Sequence, residues 1–388
     1  MRSPVNATWR YPTEIRSGVG RTAEIADACS AVGITNPLIV TDPGLVDLPP
    51  VRSVVGLLAD AGVGHGLFRD LRPNPVGRDI DAGTEAFRSG GHDGVIAIGG
   101  GSALDVGKVI AFHAHQSRPV WDFAHGSPTP ARPDLSVVAP VVAVPTTAGT
   151  GSEVGRAGVV IDEASHRKMI VSHDAMLPAA VIADPELTVG LPRVLTVGTG
   201  LDALAHSLEA ISSPVHHPMS QGIGMEGCRL VLEHLPTAAG SPTDLDARCQ
   251  MLTAASMGAV AFHKGLGAIH AISHPVGAHF DTHHGMTNAV MMPYVLLANR
   301  SAIEPVIDRL AAYVGIGGGF EGFVDHVVDL RASLDVPHTL VELGADPSAI
   351  DAIVDDAVVD PTAVTNPVPV DEEYAASVFE AACTGRLA

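Results

Sequence analysis

Two pairs of side chains stand out in the C-terminal half of the sequence, one a carboxylate with a histidine and the other two histidines. Asp202 and His206 are four residues apart, as are His270 and His274, so each pair shares one face if its segment is helical. His284 follows ten residues after His274. One carboxylate with several imidazoles is a ligand set for a divalent transition metal such as iron or zinc. The sequence therefore predicts a metal site if the two stretches meet in space.

Two polar turns in the N-terminal half could hold a nucleotide. Gly99–Ser102 follows an apolar run and opens a helical segment, where a close backbone and free helix N–H groups favour a phosphate. Residues 145–153 include Thr146, Thr147 and Thr150, whose hydroxyl groups could bond to phosphates and ribose. The first turn alone is equally compatible with simple helix-on-strand packing. Neither turn has the spacing of a P-loop, so nucleotide hydrolysis is not favoured.

A third glycine pattern competes for the dinucleotide role. Gly18–Ala23 fits GxGxxA and has Asp42 about 20 residues further on, as a dinucleotide fingerprint would. The residues before it are a poor buried strand, so we interpret Gly18–Ala23 as a turn entering a helix and assign the pyrophosphate to Gly99–Ser102. Asp42 lies just past the apolar run 37–41, where a carboxylate would bond a ribose 2′-hydroxyl and repel a 2′-phosphate, which favours NAD over NADP. The alternative is that Asp42 caps a helix before Pro43.

Composition narrows the class of protein. The chain has 388 residues, 46% of them hydrophobic, and a formal net charge of −20, which disfavours nucleic acid or an anionic membrane as a partner. The four cysteines lie far apart without a CxxC pair, and neither a signal pattern nor a membrane-length apolar run is present. These features predict a cytoplasmic, reduced, globular enzyme.

The elements that must position these residues change in character near residue 190. The apolar runs 37–41, 94–98, 141–145 and 180–183 alternate with helical segments, which predicts a mostly parallel sheet, and 158–162 with 168–171 predicts a hairpin. Helical periodicity follows over 199–212, 219–234, 244–262, 286–299, 303–314 and 321–335. We predict an α/β dinucleotide-binding domain over residues 1–189 and an all-α helical metal-binding domain over 190–388.

The combination of motifs resembles the iron-containing (group III) alcohol dehydrogenase family over nearly the whole chain. The motifs are residues 99–102, 145–153, 199–206 and 270–285. The resemblance implies a dehydroquinate synthase-like architecture, NAD(P)-dependent interconversion of alcohols with aldehydes or ketones, and a homodimer or larger homo-oligomer. It implies Fe²⁺ as the metal, with Zn²⁺ as the alternative, because both metals accept such ligands.

Family motifs carried onto this sequence imply individual roles. The metal ligands would be Asp202, His206, His270 and His284, while His274 would be an active-site histidine that relays the alcohol proton as the metal polarises the substrate oxygen. His283 stands where the family often has proline and is a possible competing ligand. The implied cofactor contacts are Asp42, Asn74, Gly99, Gly100, Gly101, Ser102, Thr146, Thr147, Thr150, Lys168 and Leu187.

The substrate is less narrowly specified. Residues 152–156, 184–187 and 262–267 look most similar to 4-hydroxybutyrate dehydrogenases, and Arg156 and Lys264 are cations near the motifs that could bind a substrate carboxylate. The alternative is that both cations form interdomain or surface salt bridges. Lactaldehyde- or phosphonoacetaldehyde-type aldehydes are alternative substrates, and a metal- and NAD-dependent lyase of the dehydroquinate synthase type is a rival function.

Overall fold

The chain forms two compact units. The computed structural model describes Tyr11, residues 13–164 and residues 167–387. One unit contains Tyr11–Leu191 with Thr243–Leu252, and the other contains Pro192–Pro242 and Thr253–Ala388. The division after Leu191 lies close to the domain boundary predicted after residue 189. The short segment Thr243–Leu252 was predicted to lie in the helical domain but groups with the first unit, and residues 1–10 of the predicted first domain lie outside the described residues.

The first unit contains a six-stranded sheet in which every pairing is parallel. The strands of the unit are β1 Glu14–Ser17, β2 Pro37–Thr41, β3 Gly66–Phe68, β4 Gly94–Gly99, β5 Val141–Pro145, β6 Ala157–Asp162, β7 Arg167–Ser172 and β8 Ala180–Ala183. The order across the sheet is β1-β8-β5-β4-β2-β3, and β6 with β7 forms a separate antiparallel pair. The predicted mostly parallel sheet and the predicted hairpin are therefore confirmed.

Burial explains which strands the sequence predicted. All residues of β2, β4, β5 and β8 are buried, so these strands read as continuous apolar runs. The two edge strands were not predicted. The β1 sequence Glu-Ile-Arg-Ser has exposed or half-buried positions only, and β3 is three residues long, so neither carries the apolar run of a central strand.

Helices cover the sheet and lead away from its strand ends. In this unit they are α1 Ile25–Ala31, α2 Pro49–Asp60, α3 Gly77–Ser89 and α4 Gly101–His113. Side chains from α1, α2 and the central strands form one buried cluster that includes Ile25, Val54, Ile96 and Ile182. The connection after β2 leads to β3 on one side, whereas the connection after β4 leads to β5 on the other. The carboxyl ends of β2 and β4 therefore mark the topological switch point, where open α/β sheets bind ligands.

The rest of the chain is helical, as predicted. Its helices are α5 Arg193–Ser212, α6 Pro218–Gly240, α7 Leu245–Ala261, α8 Ala268–Phe280, α9 His284–Ala298, α10 Arg300–Val314, α11 Gly319–Ser333, α12 Ile350–Ala357 and α13 Glu372–Thr384. Helix α5 begins six residues before its predicted start, directly after Pro192. Helices α8, α12 and α13 were absent from the predicted spans. No helix within the described part of the chain is both long and apolar enough to span a membrane.

Candidate metal centre and dinucleotide site

Three helices of the second unit bring the predicted metal ligands together. Helix α5 carries Asp202 and His206 on one face, α8 carries His270, and His284 is the first residue of α9. Oδ1 of Asp202 lies 3.8 Å from Nε2 of His206, 3.7 Å from Nε2 of His270 and 3.6 Å from Nε2 of His284. Three imidazole nitrogens therefore face one carboxylate oxygen.

The close approach of α5 and α9 depends on a glycine. A Cβ atom at Gly285 would lie 2.2 Å from the carbonyl oxygen of Gly198, so no larger residue fits at this crossing. Gly198 lies one turn before Asp202 on α5, and Gly285 directly follows His284. The contact thus fixes the start of α9, and with it His284, beside Asp202.

The neighbouring His283 has a different part to play. It is the N-cap residue of α9, and its Nδ1 accepts a hydrogen bond from the backbone N–H of Met286 at 3.3 Å. This capping bond satisfies one of the amide groups that a helix N-terminus leaves free. The arrangement favours His284 over His283 as the metal-facing residue.

The ligand geometry fits a transition metal. Metal–ligand bonds of about 2.0–2.2 Å in a tetrahedral site imply ligand atoms about 3.3–3.6 Å apart, close to the separations around Asp202. Among the described residues, Asp202, His206 and His270 form a buried group whose ligand atoms all lie within 4.8 Å of one another. His284 stands on the open side, with 29% of its side chain exposed against 3% for Asp202. One carboxylate and three imidazoles suit Fe²⁺ or Zn²⁺ equally.

Asn288 completes the inner surface of this cluster. It lies one turn after His284 on α9, and its Nδ2 is 2.7 Å from Asp202 Oδ1, 3.2 Å from His270 Nε2 and 3.1 Å from His284 Nε2. Its Oδ1 is buried and has no hydrogen-bond partner in the part of the chain that the structure describes. The N–H groups of one amide thus point at three atoms that can donate electron pairs. A positively charged ion would be attracted by the same three atoms.

Glu209 lies behind His270, on the side away from Asp202. Its Oε2 is 2.5 Å from His270 Nδ1, and both side chains are buried. Because a carboxylate only accepts hydrogen bonds, Nδ1 carries the proton and Nε2 presents its lone pair toward Asp202. Burial lowers the pKa of His270, but the Glu209 charge and its hydrogen bond outweigh burial, so that pKa is raised above the ordinary value.

His274, one turn beyond His270 on α8, has its own carboxylate partner. Its Nδ1 lies 2.8 Å from Oδ2 of Asp360, which directly precedes the 3₁₀ turn Pro361–Thr365. The other oxygen of Asp360 accepts from the backbone N–H and the hydroxyl of Thr362. Burial raises the pKa of Asp360, but His274 and the Thr362 hydrogen bonds lower it by a larger amount, so the net shift is downward. The His274 ring stacks on His284 with centroids 5.5 Å apart.

In the first unit, the two polar turns lie side by side at the ends of β4 and β5. The backbone N–H of Thr146 donates to the Gly99 carbonyl at 2.9 Å. A Cβ atom at Gly101 would lie 2.6 Å from Thr150 Cγ2, and one at Gly100 would lie 3.4 Å from Thr147 Cγ2. Helix α4 begins at Gly101, and its N-cap residue Gly100 has no side chain with which to cap it. The threonines therefore border a glycine-lined, uncapped helix N-terminus, a cradle that fits a pyrophosphate.

Asp42 lies beside the glycine turn formed by Gly99 and Gly100. Its Oδ2 is 3.4 Å from the Gly100 N–H, and a Cβ atom at Gly99, where φ is 149°, would lie 2.5 Å from the same oxygen. Burial raises the pKa of its carboxyl, against the opposing effect of the Gly100 hydrogen bond. The alternative cap role is wrong, because α2 begins at Pro49 with Leu48 as its N-cap.

The Gly18–Ala23 pattern is a turn that enters a helix, as predicted. It leads into a 3₁₀ turn, Arg21–Glu24, and then into α1. The Asp184 carboxylate accepts from the N–H groups of Gly20 and Thr22 at 3.3 and 2.9 Å, and from the Thr22 hydroxyl at 2.7 Å. An internal carboxylate thus occupies the position where a phosphate would bind.

The remaining predicted cofactor residues belong to the same unit. Ser102 Oγ donates to the carbonyl of Pro73, which places the half-buried Asn74 next to the first turn of α4. Lys168 lies on β7 opposite Ile161, whose N–H donates to the Pro75 carbonyl at 2.8 Å. Leu187 packs in the core cluster with Val51 and Val54 of α2 and lines a cavity of about 370 Å³.

The two predicted substrate cations have structural partners. Lys264 is buried, and its Nζ donates to the carbonyls of Ala210, Ile211 and Ser213 at the C-terminus of α5. Burial lowers the pKa of Lys264 to about 8. Because its ammonium group is used to cap a helix, the substrate role predicted for Lys264 loses its support. Arg156 Nε lies 3.6 Å from Asp174 Oδ1, a salt bridge of the kind the alternative interpretation describes.

Comparison with known proteins agrees with these arrangements. Residues 12–185 match the iron-containing alcohol dehydrogenase family model, and residues 196–383 match the C-terminal model of the same family. A 4-hydroxybutyrate dehydrogenase of Cupriavidus necator is 35% identical over 366 residues, which are 92% of this chain and 94% of the relative. The chain belongs to the iron-containing alcohol dehydrogenase family. Its enzyme class is therefore that of an alcohol dehydrogenase, an oxidoreductase.

Solved structures of iron-containing alcohol dehydrogenases and related reductases share the fold. A 1,3-propanediol oxidoreductase is 30% identical with a TM-score of 0.91, covering 97% of this chain and 100% of that one. A sulfoacetaldehyde reductase of Bifidobacterium kashiwanohense, solved in complex with NAD⁺, is 27% identical with a TM-score of 0.88, covering 98% and 100%. The predicted fold class, an α/β part followed by a helical part, is confirmed.

Three residues of the site were not identified from the sequence. Glu209 lies seven residues after Asp202, and Asn288 lies four after His284, so helical spacing alone could have identified both. Asp360 lies 86 residues from His274, and its Asp-Pro-Thr context indicates only a turn. No sequence signal connects it to the site.

Proposed function

We propose that this protein is a metal-dependent NAD dehydrogenase that interconverts 4-hydroxybutyrate, or a similar small ω-hydroxy acid or primary alcohol, with its aldehyde. The observation that carries the proposal is the convergence of three imidazole Nε2 atoms on Asp202 Oδ1 at 3.6–3.8 Å. Family membership supports the reaction type, and the 35% identity to a 4-hydroxybutyrate dehydrogenase supports the substrate class.

Asp202, His206, His270 and His284 would hold the metal, with Fe²⁺ as the proposed ion and Zn²⁺ as the alternative. A divalent cation in this position supplies Lewis-acid polarisation of the substrate oxygen. The carboxylate of Asp202 offsets part of the positive charge, and the partly exposed His284 leaves the open side on which a substrate can approach. Asn288, whose Nδ2 donates to Asp202 Oδ1 at 2.7 Å, would have to give up that hydrogen bond for the oxygen to bind the cation.

Gly99–Ser102, Thr146, Thr147 and Thr150 would bind the pyrophosphate and the adjoining ribose, with Asn74, Lys168 and Leu187 as further cofactor contacts. A nicotinamide dinucleotide supplies the hydride chemistry. Asp42 supports NAD over NADP, because its half-buried carboxylate faces the glycine turn and would repel a 2′-phosphate. Replacing Asp42 by alanine is expected to narrow the preference for NAD, measured as the ratio of kcat/KM for the two cofactors.

His274 would move the proton of the substrate alcohol. Its Nδ1–H donates to Asp360, which leaves Nε2 as the atom that accepts a proton. The Asp360 carboxylate stabilises the protonated ring and fixes its orientation, as the buried carboxylate does in other His–Asp pairs. The proton then passes from His274 to solvent on the partly exposed side of the ring.

Arg156 remains the proposed contact for a substrate carboxylate. The half-buried guanidinium can form a bidentate pair with a carboxylate, in exchange for its 3.6 Å contact with the more exposed Asp174. Arg156→Ala is expected to raise KM for 4-hydroxybutyrate far more than KM for 1-butanol. Arg52→Ala, at an exposed salt bridge on α2, is the matched control and should change neither value. Equal effects of Arg156→Ala on both substrates would sink the carboxylate role.

The decisive experiment measures metal content and NADH formation. Protein loaded anaerobically with Fe²⁺ or Zn²⁺ is assayed with 4-hydroxybutyrate, 1-butanol, lactaldehyde and phosphonoacetaldehyde, each with NAD(H) and NADP(H). The highest kcat/KM is expected for 4-hydroxybutyrate with NAD. Preference for an aldehyde bearing another anionic group would change the substrate, and absence of net NADH turnover would favour a dehydroquinate synthase-like lyase.

The assembly and location of the enzyme complete the proposal. We propose a homodimer or larger homo-oligomer in the cytoplasm, with a small-molecule alcohol or aldehyde as the partner. The family resemblance described for the sequence supports the assembly. Light scattering on the purified protein gives its molar mass, and a monomer at working concentration would remove the oligomer from the proposal.

A further inference from the structure

The Glu209 carboxylate lies behind the proposed metal centre. It contacts both the backbone of the first turn of α8 and the ring of His270. We propose that Glu209 is a positioning residue of the metal centre, which holds the His270 ring in the tautomer and orientation that direct Nε2 to the metal. The inference rests on the proposed metal site, because it assigns a role to a residue that contacts one of the proposed ligands.

The two oxygens of Glu209 have separate tasks. Oε1 accepts from the backbone N–H of Ile269 at 2.6 Å and from that of His270 at 3.4 Å, in the first turn of α8. Oε2 accepts from the His270 ring at 2.5 Å. One carboxylate thus fixes the helix that carries His270 and, independently, the rotation of the ring about its side-chain bonds.

Burial makes this arrangement specific. Glu209 is 6% exposed and His270 is 2% exposed, so little water is available to replace either bond. Glu209 lies on the same face of α5 as Asp202 and His206, at spacings of seven and three residues. A single helix therefore supplies two proposed ligands and the group that orients a third, which comes from α8. Such outer carboxylates fix the tautomer of metal-binding histidines and raise their basicity.

A glutamine at this position distinguishes orientation from simple space filling. Both oxygens of Glu209 accept hydrogen bonds, whereas glutamine offers one acceptor and one donor group. The peptide N–H of Ile269 cannot change its polarity, but the imidazole ring can. The glutamine NH₂ is therefore expected to face the ring, which moves the ring proton to Nε2, the atom 3.7 Å from Asp202. A protonated Nε2 cannot bind a metal.

Asn366, which directly follows the 3₁₀ turn Pro361–Thr365, provides a matched control because it also bonds to the N-terminus of α8. Its Oδ1 accepts from the backbone N–H of Ala268 at 3.0 Å, so it caps the first turn of α8 beside Glu209. Its Nδ2 donates to Asn299 Oδ1 and to the Val368 carbonyl. Removing this side chain weakens the N-terminus of α8 and a buried polar network without replacing the partner of the His270 ring.

The test compares Glu209→Gln, Asn366→Ala and His270→Ala with the wild-type protein. Co²⁺ is the probe, with its affinity measured by competition with a chromophoric chelator and its coordination by visible absorption. Thermal unfolding of the chelator-treated proteins measures the purely structural effect. Glu209→Gln is expected to weaken Co²⁺ binding about 10–100-fold and to alter the absorption bands. Asn366→Ala is expected to lower the unfolding temperature while leaving the Co²⁺ affinity and absorption bands unchanged.

Two outcomes would overturn the inference. Glu209→Gln could bind Co²⁺ as tightly as the wild type, or Asn366→Ala could lose as much affinity at an equal loss of thermal stability, which would make the effect a consequence of a weakened helix. Failure of the metal site itself is distinguishable: in that case His270→Ala binds Co²⁺ as the wild type does. Loss of binding in His270→Ala with normal binding in Glu209→Gln removes Glu209 alone.

Discussion

His270 and His274 of α8 lie in surroundings of opposite character. His270 and His274 lie one helical turn apart, and each donates from Nδ1 to a carboxylate. The His270 side chain is 2% exposed and its partner comes from the long core helix α5. The His274 side chain is 13% exposed and its partner precedes a short 3₁₀ turn. Within the described residues, the compact ligand group includes His270 and not His274.

The difference teaches that spacing and a carboxylate partner do not by themselves define a role. Nε2 of His270 lies 3.7 Å from Asp202 Oδ1 and 3.2 Å from the Asn288 amide nitrogen, and its lone pair lies beside a carboxylate oxygen, which favours a cation as its partner. His274 lies nearer to solvent and stacks on the partly exposed His284, which favours an exchange of protons. The second neighbour of each ring therefore determines the proposed role, and the predictions below test this division.

The largest effect is expected from His270→Ala. Loss of His270 removes one of the four groups proposed to bind the metal and should reduce metal affinity by more than the roughly 100-fold that loss of an outer partner can cause. Metal content after anaerobic loading and gel filtration, measured by mass spectrometry, should fall below stoichiometry, with dehydrogenase activity at background. A fully loaded, active variant would erase the distinction between the two histidines.

His274→Ala should separate chemistry from metal binding. The variant is expected to retain a full complement of metal but to lose about 10²–10⁴-fold in kcat/KM, the usual contribution of a general acid–base residue. Turnover that stays unchanged across the pH range would remove His274 from the mechanism.

Asp360→Asn should give a smaller loss. The amide cannot stabilise a protonated His274 as the carboxylate does, so kcat/KM is expected to fall about 10-fold with the metal retained. The matched control is Asp346→Asn, because Asp346 also precedes a proline-led 3₁₀ turn and accepts from Ser348 N–H at 2.9 Å. Both variants weaken a cap, so equal losses of activity would assign Asp360 a structural role only.

The smallest effects concern stability and pH, where the two pairs should respond in opposite directions. The pKa of His270 is raised in the fold, so in metal-free protein its stabilisation is full below about pH 6.5 and is lost as pH rises through the folded value. The pKa of Asp360 is lowered, so its stabilisation is present above about pH 4 and is lost as pH falls through the folded value.

Denaturant unfolding of the chelated protein across pH measures these two contributions. The difference in unfolding free energy between the wild type and His270→Ala should be largest on the acidic side of neutrality. The corresponding difference for Asp360→Asn should be present above about pH 4. Metal binding must displace the Nε2 proton of the protonated His270 ring. Metal affinity should therefore rise with pH over the range in which the protonated ring ceases to stabilise the fold. Parallel profiles for the two variants would contradict the opposite shifts.

Local spacing predicted the parts of the site that lie on one helix. Asp202 with His206, and His270 with His274, follow directly from helical geometry, and the central strands follow from their apolar runs. The choice between Gly18–Ala23 and Gly99–Ser102 also followed from the quality of the preceding strand. These inferences needed only residues close together in sequence.

Residues paired across the fold were not predictable in this way. Asp184 neutralises the amides of Gly20 and Thr22 from more than 160 positions away, and only the structure reveals that this glycine turn is already occupied. Lys264 lies six residues before His270, yet its ammonium group points to the end of α5. Its position close to His270 in the sequence did not reveal that the ammonium group bonds to backbone carbonyls.

The crossing of α5 with α9 at Gly198 and Gly285 has a consequence for folding. A metal held by Asp202 and His284 would close a loop of about 80 residues that contains α6, α7 and α8, in the manner of a covalent crosslink. By chain-entropy arguments, closing a loop of this length removes about 4–5 kcal/mol of freedom from the unfolded chain. The ion proposed to activate the substrate would then also act as a crosslink that stabilises the folded helices.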